Sequence, residues 1–122
     1  MIDADDRSGG KAIWGQQTDW VDYSGTIRGR HVGVLVIPHV RNFARCWWHA
    51  RDYGLLAANP FGPLNEKGRV KVINPGETLT LEYDVLIHSS ETADSIDVAE
   101  TASILLEVQK LTSPADPSGA SQ

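Results

Sequence analysis

The residues of this sequence best suited to chemistry crowd between positions 38 and 54, in "PHVRNFARCWWHARDYG". The adjacent Trp47 and Trp48 offer flat apolar faces that can stack on a sugar ring or a base. His49 can carry a proton near neutral pH, and Asp52 could orient it or pair with Arg51. We therefore interpret His49 and Asp52 as candidate catalytic residues. The candidate substrate-binding residues are His39, Asn42, Trp47, Trp48, Arg51 and Asn59.

Each of these side chains also has a structural explanation. In an extended chain Trp47 and Trp48 point to opposite sides, so one of them is expected in the core. Arg51 and Asp52 could form an ordinary surface ion pair, which contributes little to stability. Asn59 could close the turn "NPFG" rather than face a ligand. Cys46, near His49, could act as a nucleophile, but a cysteine beside two tryptophans is more often buried.

A metal centre is not indicated by the spacing of the histidines. His39 and His49 are ten residues apart, without a third ligand at a spacing typical of zinc sites. His31 and His88 lie on or near predicted strands and would meet only if the fold brought them together. Cys46 is the single cysteine, which excludes an intrachain disulfide and a cysteine zinc cluster. We predict neither a metal nor another cofactor.

Size and charge exclude several classes of protein. The chain has 122 residues, typical of one domain, and its formal net charge of −5 argues against a nucleic-acid or anionic-membrane surface. We found no apolar run of membrane-spanning length and no signal-peptide core in "MIDADDRSGGKAIW". The expected location is therefore cytoplasmic by default; if the chain is a truncated secreted protein, its location is unknown.

The elements that must position these residues are mainly β. We predict an antiparallel β-sandwich with one C-terminal helix. "HVGVLVI" predicts a strand buried on both faces, and the apolar spacing of "SIDVAETASILLEVQK" favours a helix capped by Ser95 or Asp94. The predicted segments are a flexible lead-in over 1–12, a sandwich domain over 13–111, strands within 18–24, 31–37 and 53–58, a turn within 25–30, a loop over 38–50, a hairpin over 69–88 with a type II turn at 74–77, a helix over 95–110 and a disordered tail over 112–122.

Three motifs carry a resemblance to a known family. "WVDYSG" (20–25), "HARDYGLLAANPFG" (49–62) and "LTLEYDVLIH" (79–88) resemble the C-terminal part of an uncharacterised bacterial family labelled methane oxygenase or PmoA-like protein. The resemblance implies a soluble, long-stranded sandwich similar to mutarotase-like supersandwiches, and by analogy a carbohydrate ligand. Family members are longer, so the chain would be a fragment that exposes an apolar sheet face or edge. We therefore expect self-association or a missing N-terminal portion as partner.

Several functions fit these observations. The first is binding of a sugar or other polar small molecule through the 38–54 loop, alone or as part of a sugar-acting enzyme with His49 as proton carrier. The second is a non-catalytic structural β-domain or fragment. The third is an oxygenase, as the family label says, although the sequence lacks the membrane segments and metal-ligand pattern of such enzymes.

Overall fold

Two antiparallel sheets and a C-terminal helix build the described part of the chain. The structure is a computed structural model that describes residues 1–63 and 70–112. A four-stranded sheet has the order β1-β2-β3-β6, and β4 and β5 form a separate two-stranded sheet. The mainly β fold class with one C-terminal helix is as predicted. In chain order the elements are β1 Ile2–Asp3, α1 Gly10–Ile13, β2 Val21–Ile27, β3 Arg30–Pro38, β4 Trp47–Arg51, β5 Leu55–Asn59, β6 Tyr83–Ser90, a 3₁₀ turn Ala93–Ser95 and α2 Val98–Thr112.

The β2–β3 hairpin follows from a two-residue turn. Arg28 and Gly29 both have left-handed backbone angles, with φ of 53° and 78°. Two consecutive left-handed residues match the right-handed twist of the flanking strands. Residue pairs run from Val21 with Val36 to Ile27 with Arg30. The turn predicted within 25–30 is confirmed.

Along most of its length, the central strand β3 has one buried face and one partly exposed face. Leu35 and Ile37 are fully buried against α2, whereas Val34 on the other face is 37% exposed. The expectation of burial on both faces was therefore wrong for this part of the strand. The two-stranded sheet is too narrow to cover the whole second face, and it packs near Val36 rather than Val34.

The C-terminal helix α2 packs across the sheet through Val98 and Ala102, which contact the cluster of Trp20, Leu35 and Ile37. The helix is confirmed, but its cap differs from the prediction. The carboxylate of Asp97 accepts a hydrogen bond of 2.9 Å from the backbone N–H of Glu100. This is the usual N-cap contact to the third helical residue. Ser95, one of the two predicted caps, lies in the preceding 3₁₀ turn together with Asp94.

The second core cluster lies between the two sheets. Trp48 is 2% exposed and packs with Ile13, Val21, Cys46 and Ala50. Its indole N–H donates to the backbone carbonyl of Thr18 at 3.0 Å. The predicted loop over 38–50 is therefore too long, because β4 begins at Trp47.

The first thirteen residues are ordered, in contrast to the predicted flexible lead-in over 1–12. β1 pairs with β2 through Ile2–Asp22 and Asp3–Val21. The carboxylate of Asp3 is buried and accepts hydrogen bonds of 2.9 Å from the backbone N–H groups of Asp5 and Arg7. These contacts turn the chain back toward the sheet. Acidic, Gly-rich composition was misleading here because Asp3 is used to cap a turn.

The predicted hairpin over 69–88 is formed only in part. Its turn is confirmed, since the N–H of Glu77 donates to the carbonyl of Asn74 at 2.9 Å and Gly76 has φ 86°. Residues 70–82 contain no strand, and Val70 is 91% exposed. Alternation predicts a strand only where one face is buried. Arg69, where the predicted hairpin begins, and residues 113–122 of the predicted disordered tail lie outside the described residues.

Candidate functional site

The outward face of β4 presents three of the predicted site residues. Trp47, His49 and Arg51 alternate along the strand and point away from the core, because Trp48 and Ala50 between them are buried. Only one of the two adjacent tryptophans is therefore available to a ligand. On the neighbouring strand β5, Asn59 lies opposite Trp47. The expected opposite orientation of the two indoles is confirmed.

Trp14, which directly follows α1, forms one wall of a hollow over this face. Its ring meets the imidazole of His49 edge-on, with ring centroids 6.0 Å apart and an interplanar angle of 82°. The guanidinium carbon of Arg51 lies 5.0 Å from the centre of the Trp14 ring, a cation–π contact. The indole hollow has a volume of about 370 Å³ and is lined by Trp14, Gly15, Trp47, Trp48, His49, Asn59, Gly62 and Pro63.

The indole N–H of Trp47, one of the residues that line this hollow, is a buried donor. The Nε1 atom is buried and has no hydrogen-bond partner in the described part of the chain. Leaving a buried donor without a partner costs about 1–3 kcal/mol, so such groups usually face a ligand or an ordered water. The side chain of Asn59 is used differently, since it donates to Gly62 O at 3.2 Å and accepts from Phe61 N at 2.9 Å. Its amide closes the "NPFG" turn at the rim.

Arg51 and Asp52 lie beside the hollow, in a depression that they form with Lys11 and Trp14. The carboxylate of Asp52 accepts a hydrogen bond of 2.8 Å from the N–H of Gly10, and the guanidinium of Arg51 donates to the carbonyl of Ala50 at 3.0 Å. Within the described ranges, neither an Asp52–His49 hydrogen bond nor an Arg51–Asp52 ion pair is formed. Asp52 thus anchors the start of α1, which positions Trp14.

His39 and Asn42 are not brought to the indole hollow. They line a different cavity of about 210 Å³, on the side of the chain that carries Thr18 and Cys46. The side chain of Asn42 is fully engaged with the backbone of Glu82, donating to its carbonyl at 2.9 Å and accepting from its N–H at 2.8 Å.

The same loop is fastened by two further contacts. His39 Nδ1 accepts the N–H of Arg41 at 3.1 Å, and the Arg41 guanidinium donates to both Glu82 carboxylate oxygens at 2.8 and 3.0 Å. The Arg41–Glu82 contact holds the loop after β3 against the segment before β6, whereas the His39–Arg41 contact lies within the loop.

Cys46 is unsuited to nucleophilic attack at neutral pH. Its thiol is 1% exposed. Burial raises the pKa of Cys46 to about 11, although a hydrogen bond with Tyr83 acts in the opposite direction. Since the thiolate is the reactive form, almost all of the thiol is unreactive near pH 7. The alternative of a cysteine nucleophile has no support in this geometry.

Two features of the structure were missed by sequence reasoning. Trp14 completes the hollow, and a buried pair joins His88 Nε2 to Asp22 Oδ1 at 2.6 Å. The His31 ring lies 5.9 Å from that of His88, so these two histidines do meet. Asp22 and His88 are 66 residues apart. Because β2 and β6 pair on either side of β3, His88 lies over Gly33 and reaches Asp22, which lies opposite Leu35. No local sequence signal encodes this contact.

The described side chains contain no group of three or more His, Cys, Asp or Glu residues arranged to hold a metal ion. The part of the chain that the structure describes also contains no helix long and apolar enough to span a membrane.

Fold and site together define a small, mainly β domain in which a tryptophan-walled hollow opens on the outer face of a two-stranded sheet. The chain belongs to a family of unknown function, DUF6807, whose model matches residues 1–103. A search of curated proteins and a search of solved structures each found no match.

Proposed function

We propose that this protein binds a carbohydrate, or a similarly polar ring-shaped small molecule, in the indole hollow. The observation that carries the proposal is the buried, unpartnered indole N–H of Trp47 beside a half-exposed Trp14 ring. A sugar offers both complements, because its C–H face stacks on an indole and its hydroxyl oxygens accept hydrogen bonds. The analogy drawn from the PmoA-like resemblance favours the same ligand class.

The shape and chemistry of the hollow suit one sugar ring. A volume of about 370 Å³ lies at the lower end of the range for small-molecule sites. Trp14 is 47% exposed, which leaves ring surface available for stacking. His49 is exposed at the same wall and can donate or accept a hydrogen bond in its neutral form. Preformed walls of this kind reduce the entropy lost on binding.

Binding without turnover is favoured over catalysis. Glycoside hydrolysis generally uses two carboxylates placed on either side of the scissile bond. Among the described residues that line the hollow there is no carboxylate, and Asp52 beside it is bonded to Gly10. His49 alone could move a proton but has no described acid or base partner. The proposed activity is therefore that of a binding module.

The test is titration of the purified protein with a panel of mono- and disaccharides, followed by tryptophan fluorescence and calorimetry. Trp47→Phe keeps an aromatic ring but removes the N–H, so we expect about 3- to 10-fold weaker binding, as for one lost neutral hydrogen bond. Trp14→Ala removes the stacking wall and should weaken binding by about tenfold or more. Tyr53→Ala is the matched control, because Tyr53 is 82% exposed in the β4–β5 turn, and Tyr53 does not line the hollow.

The outcomes separate the candidate functions. Absence of a response to every sugar, or equal binding by wild type and Trp14→Ala, would overturn the proposal. Conversion of a sugar to product, lost in His49→Ala while binding persists, would replace the binding module by an enzyme. Metal content and oxygen consumption of the purified protein test the oxygenase alternative, and a metal-free protein that binds sugar rejects it.

A further inference from the structure

One face of the four-stranded sheet carries large apolar side chains that nothing in the described ranges covers. Strand registers place Val34 opposite Ile87 and Val36 opposite Val85 on this face. The two-stranded sheet covers it near Val21, Tyr23 and Val36, and the Tyr23 hydroxyl donates to the carbonyl of Arg51 at 3.0 Å. The open face consists of Ile27, Val34, Tyr83, Val85 and Ile87, which are 62%, 37%, 37%, 57% and 79% exposed.

The strand that ends this face, β6, lacks two of the devices that often protect a sheet edge. It contains neither lysine nor proline. Apart from Tyr83, its two ionisable side chains turn to the opposite face, where Asp84 accepts a hydrogen bond from Gln109 at 2.9 Å and His88 pairs with Asp22 at 2.6 Å. The five apolar residues of the open face are therefore uncharged, and the charged side chain of Arg30 lies at the hairpin end of this face, opposite Ile27, where its Nε donates to Ser89 Oγ at 3.1 Å.

The exposed apolar area is of the size that an interface requires. With about 150 Å² for one fully exposed large side chain, the five residues present on the order of 400 Å². A standard interface buries about 800 Å² on each partner, of which roughly 57% is apolar, or about 450 Å². Apolar patches of several hundred Å² on a protein surface are typical of interaction sites.

We propose that the open face is the contact surface of a homodimer, in which a second copy packs its own open face against it. Area argues for a second copy, because the five residues supply about the apolar area that one partner of a standard interface buries. Two copies that each carry a net charge of −5 repel each other least where they meet through uncharged residues, as all five of these are. A two-fold axis lets the same patch serve both partners. Packed sheets of this kind lie about 10 Å apart with interdigitated side chains.

The test is sedimentation equilibrium of the full chain between about 1 and 200 μM. Wild type is expected to sediment as a dimer of the 13.3 kDa chain at the upper concentrations. Ile87→Lys places a charge within the contact and should raise the dissociation constant at least tenfold. Ile104→Lys is the matched control, since Ile104 is also an exposed isoleucine, 58% exposed, but lies on α2 at the opposite face of the sheet. It should leave the dimer unchanged.

A monomer at every concentration overturns the proposal, as does a dimer that resists both Ile87→Lys and Val85→Lys. If Ile87→Lys fails to fold, Ile87→Cys provides a second measurement. A bismaleimide reagent long enough to span the two packed sheets should cross-link this variant into a covalent dimer, whereas Ile104→Cys should remain monomeric on a denaturing gel. Native Cys46 is buried and does not compete. Equal cross-linking of the two variants contradicts the assigned face.

Discussion

Replacing Gly33 by alanine tests the most constrained contact of the sheet. A Cβ at position 33 would lie inside van der Waals contact of ring atoms Cε1 and Nε2 of His88 and 2.9 Å from Cβ of Ser24. The His88 ring would have to move, and its Nε2 atom holds Asp22 at 2.6 Å. Both side chains are almost fully buried, at 4% and 1% exposed. The substitution therefore breaks a buried pair rather than merely crowding a surface.

The expected cost is about 2–4 kcal/mol of unfolding free energy. Breaking a buried pair typically costs about 3–5 kcal/mol, because one polar group stays buried without its partner. Alanine regains about 0.5–1 kcal/mol over glycine by restricting the unfolded chain. A domain of this size is typically stable by about 5–15 kcal/mol, so the loss is a large share of the total.

Urea unfolding monitored by tryptophan fluorescence measures this cost. Gly25→Ala is the matched control, because Gly25 lies on the neighbouring strand β2 and a Cβ there meets nothing within 4 Å. We expect Gly25→Ala to change stability by less than about 1 kcal/mol. A second comparison uses a His88→Ala background, in which Gly33→Ala should lose most of its penalty. If Gly33→Ala and Gly25→Ala unfold at the same urea concentration, the reasoning about the Asp22–His88 pair is refuted.

Two further predictions concern the loop after β3. Because burial raises the pKa of Cys46 to about 11, native protein at pH 8 should react with a thiol reagent about 100-fold more slowly than urea-unfolded protein, measured as labelling rates. Since the pKa of Cys46 is higher in the folded than in the unfolded protein, the free energy of unfolding should also fall as the pH rises from about 9 toward 11. Equal labelling rates of native and unfolded protein would contradict a buried Cys46. Asn42→Ala removes both hydrogen bonds to the Glu82 backbone and should lower unfolding free energy by about 1–2 kcal/mol without changing sugar affinity. If Asn42→Ala instead loses sugar binding without losing stability, Asn42 is a ligand-binding residue.

The elements with local sequence signals were predictable. The Arg28–Gly29 turn, the turn at Asn74–Glu77 and the amphipathic spacing of α2 each depend on neighbouring residues, and the structure has all three. The predicted hairpin over 69–88 has no strand over 70–82, because alternation in sequence does not tell whether a second surface exists to bury one face. The strand at Trp47–Arg51 was not predicted, because its aromatic and polar residues were interpreted as a functional loop. Its partner β5 begins only four residues after it ends.

The candidate site was predictable only in part, because some of its residues are brought together by contacts between distant parts of the sequence. Alternate residues of a strand share one face, so a strand over β4 is enough to predict that Trp47, His49 and Arg51 lie together. Trp14 reaches the hollow through long-range backbone contacts, in which Gly15 N donates to Trp48 O at 2.7 Å and Trp48 N donates to Gln16 O at 3.0 Å. Contacts across more than thirty positions leave no local pattern.

The bond between Asp52 and Gly10 has a consequence for how the protein responds to an occupant. A Cβ at position 10 would come within 3.0 Å of the Arg51 Cα atom and the Asp52 nitrogen, so the first helix sits directly on the β4–β5 turn. This packing positions Trp14, so a molecule that binds to Trp14 and restricts its motion also restricts the motion of the amino-terminal segment. Saturation with sugar should then slow amide exchange and aminopeptidase trimming there, while the carboxy-terminal helix keeps its exchange rates.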